Sequence, residues 1–265
     1  MNPAPFTFFA GSAPLLISIP HVGTAIPSDI ASRMTDAALR TPDTDWHLDR
    51  LYSFAQALGA SVLRANYARY VVDLNRPPDD ANLYPGQNTT GLCPVDTFDS
   101  EPLYREGCTP DAAEIALRRA RYWQPYHDQL ATELMRLRSE HKSVVLWDAH
   151  SIRSVVPRFF EGTLPALNFG TANGLSCDPL LSESILNCVA DHEQFTHALN
   201  GRFKGGYITR NYGNPASGIH AIQLEMAQNT YMHEWFPFDY DAFAAGQIEP
   251  LLLRCVQRAI LFARG

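Results

Sequence analysis

The sequence predicts a layered α/β fold, and three observations predict it. Short, continuously apolar runs of strand length recur along the chain, longer segments with helical apolar spacing separate them, and no repeat, linker or low-complexity tract divides the 265 residues. The expectation is one domain over 1–265. Leu15 to Ile19 (LLISI) is a β-rich run stopped by Pro20, as a buried strand entering a loop would be. From Thr44 to Leu58 the residues Trp46, Leu48, Leu51, Phe54, Ala55 and Leu58 recur at steps of three and four before Gly59, which predicts a helix. Strands are expected at Ser61 to Ala65 and at Tyr70 to Leu74, the second closed by Pro77-Pro78. The stretch from Asp79 to Pro110 is polar and rich in Pro, Gly and Asn, and is longer than an idle connection needs. Loops of this kind cover sites.

A long helix is expected to start at Pro110-Asp111, where proline suits the first turn and aspartate the dipole, and to run to about His141. Val144 to Trp147 (VVLW) reads as a buried strand that delivers Asp148-Ala149-His150 at its carboxyl end, where open α/β sheets place their chemistry. Further strands are expected at 166–169, 207–211 and 219–225, with helices at 179–191 and 241–263.

Composition narrows the partners. The formal charge is −7, and no Lys/Arg run is present to neutralise a phosphate backbone or an anionic lipid face, so nucleic acid and membrane are not expected. No apolar run approaches the ~18 to 20 residues of a span. The opening MNPAPFTFFAGSAP has no basic stretch of secretory type, and a cytoplasmic location is expected. The cysteines at 93, 108, 177, 188 and 255 form no C-x-x-C pair and read as reduced thiols.

The familiar signatures are missing: no G-x-S-x-G elbow, P-loop or G-x-G-x-x-G occurs. His192-Glu-Gln-Phe-Thr-His197 imitates H-E-x-x-H with one residue too many. On a helix, five steps of ~100° set the imidazoles ~140° apart, which is no metal-binding face. What remains is polar residues where apolar strands end. His21 follows LLISIP and His150 follows VVLWDA. A single histidine is more often structural than a ligand, but two at the mouths of two buried strands suit a metal. Asp148 is a candidate acceptor for an imidazole N–H, or a turn cap. Asp45 and Asp49, four apart on the expected helix, could each add a carboxylate, although Asp45 could equally serve the helix dipole. Two imidazoles and one carboxylate leave zinc an open position. The segment Arg69-Tyr-Val-Val-Asp-Leu-Asn75-Arg76 carries guanidinium forks suited to carboxylates, with surface ion pairs as the plain alternative. Glu225 ends the apolar run 219–224 and is a candidate general base.

The segments SIPHVGTAIP, DTDWHLDRLY, ARYVVDLNRP, LYPGQNTTGLCP, YWQPYH, DAHSI, GRFKGGYITRNYG and IQLEMAQNTYM resemble the N-formylglutamate amidohydrolases (deformylases) along nearly the whole chain. The resemblance implies hydrolysis of N-formyl-L-glutamate to L-glutamate and formate, in one route of histidine degradation. It also implies a mixed sheet flanked by helices of zinc-carboxypeptidase (phosphorylase/hydrolase-like) type, through a distant similarity to carboxypeptidases and the aspartoacylase group. Carried over, His21 and His150 become the zinc imidazoles and Asn75-Arg76 the clamp for the α-carboxylate of a small dicarboxylate substrate. Arg69 would polarise the scissile carbonyl and Glu225 would be the base. Thr24 stands where the carboxypeptidase pattern H-x-x-E has its acidic ligand, so the third ligand falls to Asp45 or Asp49. Arg210 is the candidate for the γ-carboxylate. The rival readings are a zinc amidase or carboxypeptidase for other N-acyl substrates and a metal-free ligand-binding protein.

Overall fold

The runs LLISI and VVLW lie side by side in the middle of a sheet. The computed structural model describes residues 3–83 and 86–265. Strands β1 (Phe6–Phe9), β2 (Leu15–Ile19), β3 (Ser61–Ala65), β4 (Val144–Ile152), β5 (Leu167–Gly170), β6 (His197–Leu199) and β7 (Ile219–Ala227) form one sheet ordered β1-β3-β2-β4-β7-β5-β6. The centre β3-β2-β4-β7 is parallel, while β1 on β3 and β5 on β7 are antiparallel, so the sheet is mixed. The helices are α1 (Ser28–Ala31), α2 (Asp36–Leu39), α3 (Leu48–Leu51), α4 (Ala112–Arg118), α5 (Gln124–Glu140), α6 (Pro179–Ala190), α7 (Tyr207–Tyr212) and α8 (Ala242–Arg264).

Both faces of the central strands are covered, which is why they read as continuous rather than alternating apolar runs. Leu15, Ile17, Trp147 and Leu224 pack on one face against α6 and α8, through Ile185 and Leu252 among others. Leu16, Leu146 and Ala221 pack on the other against Tyr126 and Leu130 of α5 and Ile208 of α7. Truncating a side chain such as Leu146 to alanine would cost ~2 to 5 kcal/mol.

Three expectations need correction. The segment 44–58 is not one helix: Leu48–Leu51 is α-helical, Ser53–Leu58 is a 3-10 turn, and His47 at φ 63° separates them from Asp45. The amide side chain of Gln228 donates to the Thr44 carbonyl, and the Asp45 N–H donates to the His21 carbonyl, so the groups a helix would use are tied to the strand ends. Residues 70–74 form turns, because β1 and β2 occupy both edges of β3 and leave no place for another strand. Residues 207–211 belong to α7, where the Arg210 N–H bonds the Gly206 carbonyl and Ile208 packs into the core below. The long helix runs as α4, a π turn at Arg119–Trp123, and α5. Strands β1 and β6 and the single-turn helices α1 and α2 lie where no element was expected. From 79 to 110, apart from Tyr84 and Pro85, which lie outside the described residues, the chain is a loop held by isolated bridges.

Candidate active site

The face that carries Leu16, Leu146 and Ala221 changes character along the strands. In a strand, residues two apart share a face, so Ser18 follows Leu16, Asp148 and His150 follow Leu146, and Gln223 and Glu225 follow Ala221. The parallel registers align Ser18 with Asp148, Asp148 with Gln223, and His150 with Glu225. One sheet face is therefore apolar over its first half and polar at its carboxyl end, and His21 enters this end from the turn after β2.

There the structure brings His21, Asp45 and His150 together, all buried, with one ligand atom of each within 4.8 Å of the others. The two Nδ1 atoms lie 3.2 Å apart, and Asp45 Oδ2 lies 3.6 Å from that of His21 and 3.3 Å from that of His150. Ligand bonds of ~2.0 to 2.1 Å in a tetrahedron place ligand atoms ~3.3 to 3.4 Å apart, so the triangle has the edges of a zinc site. Two nitrogens and one carboxylate oxygen are also the donors that suit zinc, and among the described residues Asp45 Oδ1 has no hydrogen-bond partner. The donor set fits a divalent ion.

Each imidazole is held from behind. His21 Nε2 donates to Asp73 Oδ1 at 2.8 Å, and His150 Nε2 lies 3.0 Å from Asp148 Oδ2. A carboxylate on the outer nitrogen turns Nδ1 toward the centre and raises its basicity. Asp148 is itself fixed by the Ser18 hydroxyl at 3.1 Å, and Asp45 by the Ser151 N–H at 3.2 Å. Against the upward push of burial, His150 and His21 hold Asp45 well below the usual carboxylate range. Against the downward push of burial, Asp148 holds His150 well above the usual imidazole value. Glu225 behaves oppositely: burial pushes its carboxyl up to about 8, with His150 and Arg69 pulling it down.

These residues open into a cleft enclosing about 640 Å³, solvent at its mouth included. Arg69, Asp73, Asn75 and Arg76 line it beside His21, His150 and Glu225. Arg69 donates to Asp73 Oδ2 at 2.7 Å and lies 3.7 Å from Asp45 Oδ1, while Arg76 Nε is 4.0 Å from Asp73 Oδ2 and Arg76 Nη2 donates to Thr90 Oγ1 at 3.3 Å. Asn75 accepts from the Ile208 N–H at 2.8 Å and brings its Nδ2 within 3.0 Å of His150 Nε2. A Cβ on Gly206 would come 2.3 Å from the Asn75 side chain, so the approach of α7 to the cleft requires glycine there. The long loop supplies Asn88, Thr89 and Phe98 as a wall. Arg158 straps it down, donating to the Thr97 carbonyl at 2.6 Å and to Asn88 Oδ1 at 3.2 Å.

Not every candidate gathers here. Asp49 pairs with Arg64 at 2.6 Å on an exposed surface. Arg210 donates to the Gly205 carbonyl at 2.8 Å and is not among the residues lining the cleft. His192 contacts Arg254, and His197 begins β6, so the H-E-Q-F-T-H pattern forms no pair. Asp73, which lies inside the Arg69–Arg76 segment, Gln223 and Arg202 have no role among the residues expected from sequence. For Asp73 the signal was its position between two arginines, which a buried acid would be needed to balance.

Fold and site define the class: a hydrolase of mixed α/β architecture with a candidate metal centre at the carboxyl edge of its sheet. Within that class the chain belongs to the N-formylglutamate amidohydrolase family, whose pattern matches residues 13–232. An N-formylglutamate deformylase of Pseudomonas putida is 49% identical over 251 residues, 95% of this chain and 94% of that one. One from Pseudomonas aeruginosa is 49% identical over 258 residues, 97% of each. Among solved structures, the N-formylglutamate amidohydrolase of Ralstonia eutropha JMP134 superposes with a TM-score of 0.83 at 24% identity over 98% of both chains. A gene product of Agrobacterium tumefaciens gives 0.71 at 17% identity over 97% of this chain and 96% of its own. Both share the fold. Among the described residues no helix is long and apolar enough to cross a membrane.

Proposed function

We propose that this chain hydrolyses N-formyl-L-glutamate to L-glutamate and formate, as a cytoplasmic step of histidine degradation, with one divalent ion, zinc by donor type, held by His21, Asp45 and His150. The observation that carries the reading is the triangle of these three residues beside Glu225, in a cleft walled by arginines. The 49% identical deformylases support the substrate.

A bound ion of this kind supplies Lewis acidity, polarising a carbonyl and bringing the pKa of water toward ~7. Glu225 takes a proton from the water whose oxygen attacks the formyl carbon. Buried and raised in pKa, it keeps that proton long enough to deliver it to the departing nitrogen. The C–N bond then breaks to release a neutral amine, because an amide anion is too basic to leave. Arg69, fixed by Asp73, presents positive charge to the oxygen that becomes negative. Arg76 takes the α-carboxylate, on a wall that Asn75 anchors to α7. An acidic protein thus receives a dianion, because local guanidinium groups and not net charge set the field in the cleft.

The test is formate release from N-formyl-L-glutamate by purified protein, before and after chelator treatment and after zinc is restored. The expected result is turnover that chelator abolishes and zinc returns. No formate in any of the three conditions overturns the reading.

A further inference from the structure

Arg202 stands apart from the other cleft arginines. Arg69 and Arg76 both flank Asp73. Arg202 lies in the connection from β6 to α7 and lines the same cleft with Phe98, Phe159 and Phe203. Its Nε donates to the Phe159 carbonyl at 2.5 Å, which fixes the plane of the guanidinium, and its Cζ sits 5.4 Å from the Phe203 ring centre and 5.9 Å from that of Phe159.

The aromatic rings connect the two arginine positions. Arg69 Cζ lies 4.8 Å from the Phe98 ring centre, the Phe98 and Phe159 rings meet edge-on at 5.0 Å, and Arg202 follows on Phe159. Cation, apolar ring pair and second cation thus succeed one another along one wall. A ligand that matches this order has a polar head, an aliphatic stem and an anionic end. The rings exclude water from the stem and lower the dielectric around Arg202, which strengthens a fork-to-carboxylate pair.

The geometry points to Arg202 as the residue that reads the side-chain carboxylate of the substrate, selecting acidic N-acyl amino acids with a short methylene stem. This rests on the functional reading above and assigns the end of the cleft that the reaction itself does not use. Arg202 touches substrate but not the reacting atoms, so it is a specificity residue.

The experiment compares kcat/KM for N-formyl-L-glutamate and for N-formyl-L-glutamine, its neutral isostere, in the wild type, Arg202→Gln and Arg202→Lys. The wild type should favour the acid by roughly ten- to a hundredfold. Arg202→Gln should shrink this ratio to within about threefold, almost wholly through lost activity on the acid, and Arg202→Lys should fall between, since an ammonium keeps the charge but not the fork. A wild type without preference, or an Arg202→Gln enzyme that keeps the wild-type ratio, overturns the proposal. If Arg202→Gln does not fold, an unchanged ratio in Arg202→Lys does so. Should the wild type release no formate, the functional reading falls, and calorimetry with glutarate against butyrate judges the anion site alone. The wild type must then prefer the diacid and Arg202→Lys must weaken that preference, or the assignment fails as well.

Discussion

Asp73 divides its carboxylate between the His21 imidazole of the candidate metal centre and the cleft: one oxygen accepts from His21 Nε2 at 2.8 Å and the other holds Arg69 at 2.7 Å. Opposed by burial, His21 and Arg69 keep it well below the ordinary carboxylate range. Its loss should therefore damage two functions at once. Asp73→Asn is expected to weaken zinc affinity by ~10- to 100-fold, the usual effect of removing such a carboxylate, and to lower kcat as well through a misplaced Arg69. Competition with a zinc chelator of known affinity measures the first effect, and an affinity equal to wild type would remove Asp73 from the ligand support.

Asp45 and Asp49 were equivalent on a helix; in the structure they are not. Asp45→Ala should strip the protein of metal on dialysis, whereas Asp49→Ala should lose only an exposed pair with Arg64 worth ~0 to 1 kcal/mol and keep its metal. Metal content after dialysis, read by atomic absorption, decides. Asp148 raises the pKa of His150 against burial, so protons compete with a metal for this imidazole, and metal uptake should release protons and weaken in acid.

Glu225→Gln should retain the metal and lower kcat by ~10² to 10⁴ with little change in KM, as befits a lost general base. Turnover within a few-fold of wild type would move that role to another group.

His127 offers a pH effect away from the site. It is stacked on Trp123 at 3.7 Å, donates from Nε2 to the Leu74 carbonyl at 2.9 Å, and has its pKa pushed down to about 4 by burial. The unfolded chain takes up this proton below pH ~6.5, while the folded protein refuses it until about 4. Stability linked to His127 is thus intact above the unfolded value and falls as the pH drops toward the folded one, by ~3 kcal/mol over the window at 1.36 kcal/mol per unit. In urea titrations of chelated protein, His127→Gln should lose less stability than wild type between pH 6.5 and 4. Parallel losses would contradict the shift.

The fold is legible in the sequence where burial dictates composition. LLISI, VVLW and the run 219–225 are strands because they form the sheet centre, and polar residues after them line the cleft because the same face runs out of apolar cover. Legibility ends where long-range partners decide. Nothing local in Thr44 to Leu58 shows that the Gln228 side chain takes the Thr44 carbonyl, and nothing in Tyr70 to Leu74 shows that both edges of β3 are filled. Tyr207 to Asn211 has strand composition, yet its start is set by Asn75 and Gly206. Arg202 carried no pattern of its own, since what marks it is a pair of rings from distant segments.

His150 and Glu225 stand opposite each other across β4 and β7 by strand register. Their separation is a backbone quantity, fixed by the ~4.8 Å spacing of neighbouring strands, whereas Arg69, Arg76 and Arg202 all ride on connections outside the strands. The proposed base and one candidate imidazole are thus set by the sheet, while His21, Asp45 and the arginines are set by connections. A single-residue insertion in β4 or β7 would turn one of the pair to the opposite face, whereas changes confined to the segments around Arg76 and Arg202 would leave the pair where it is.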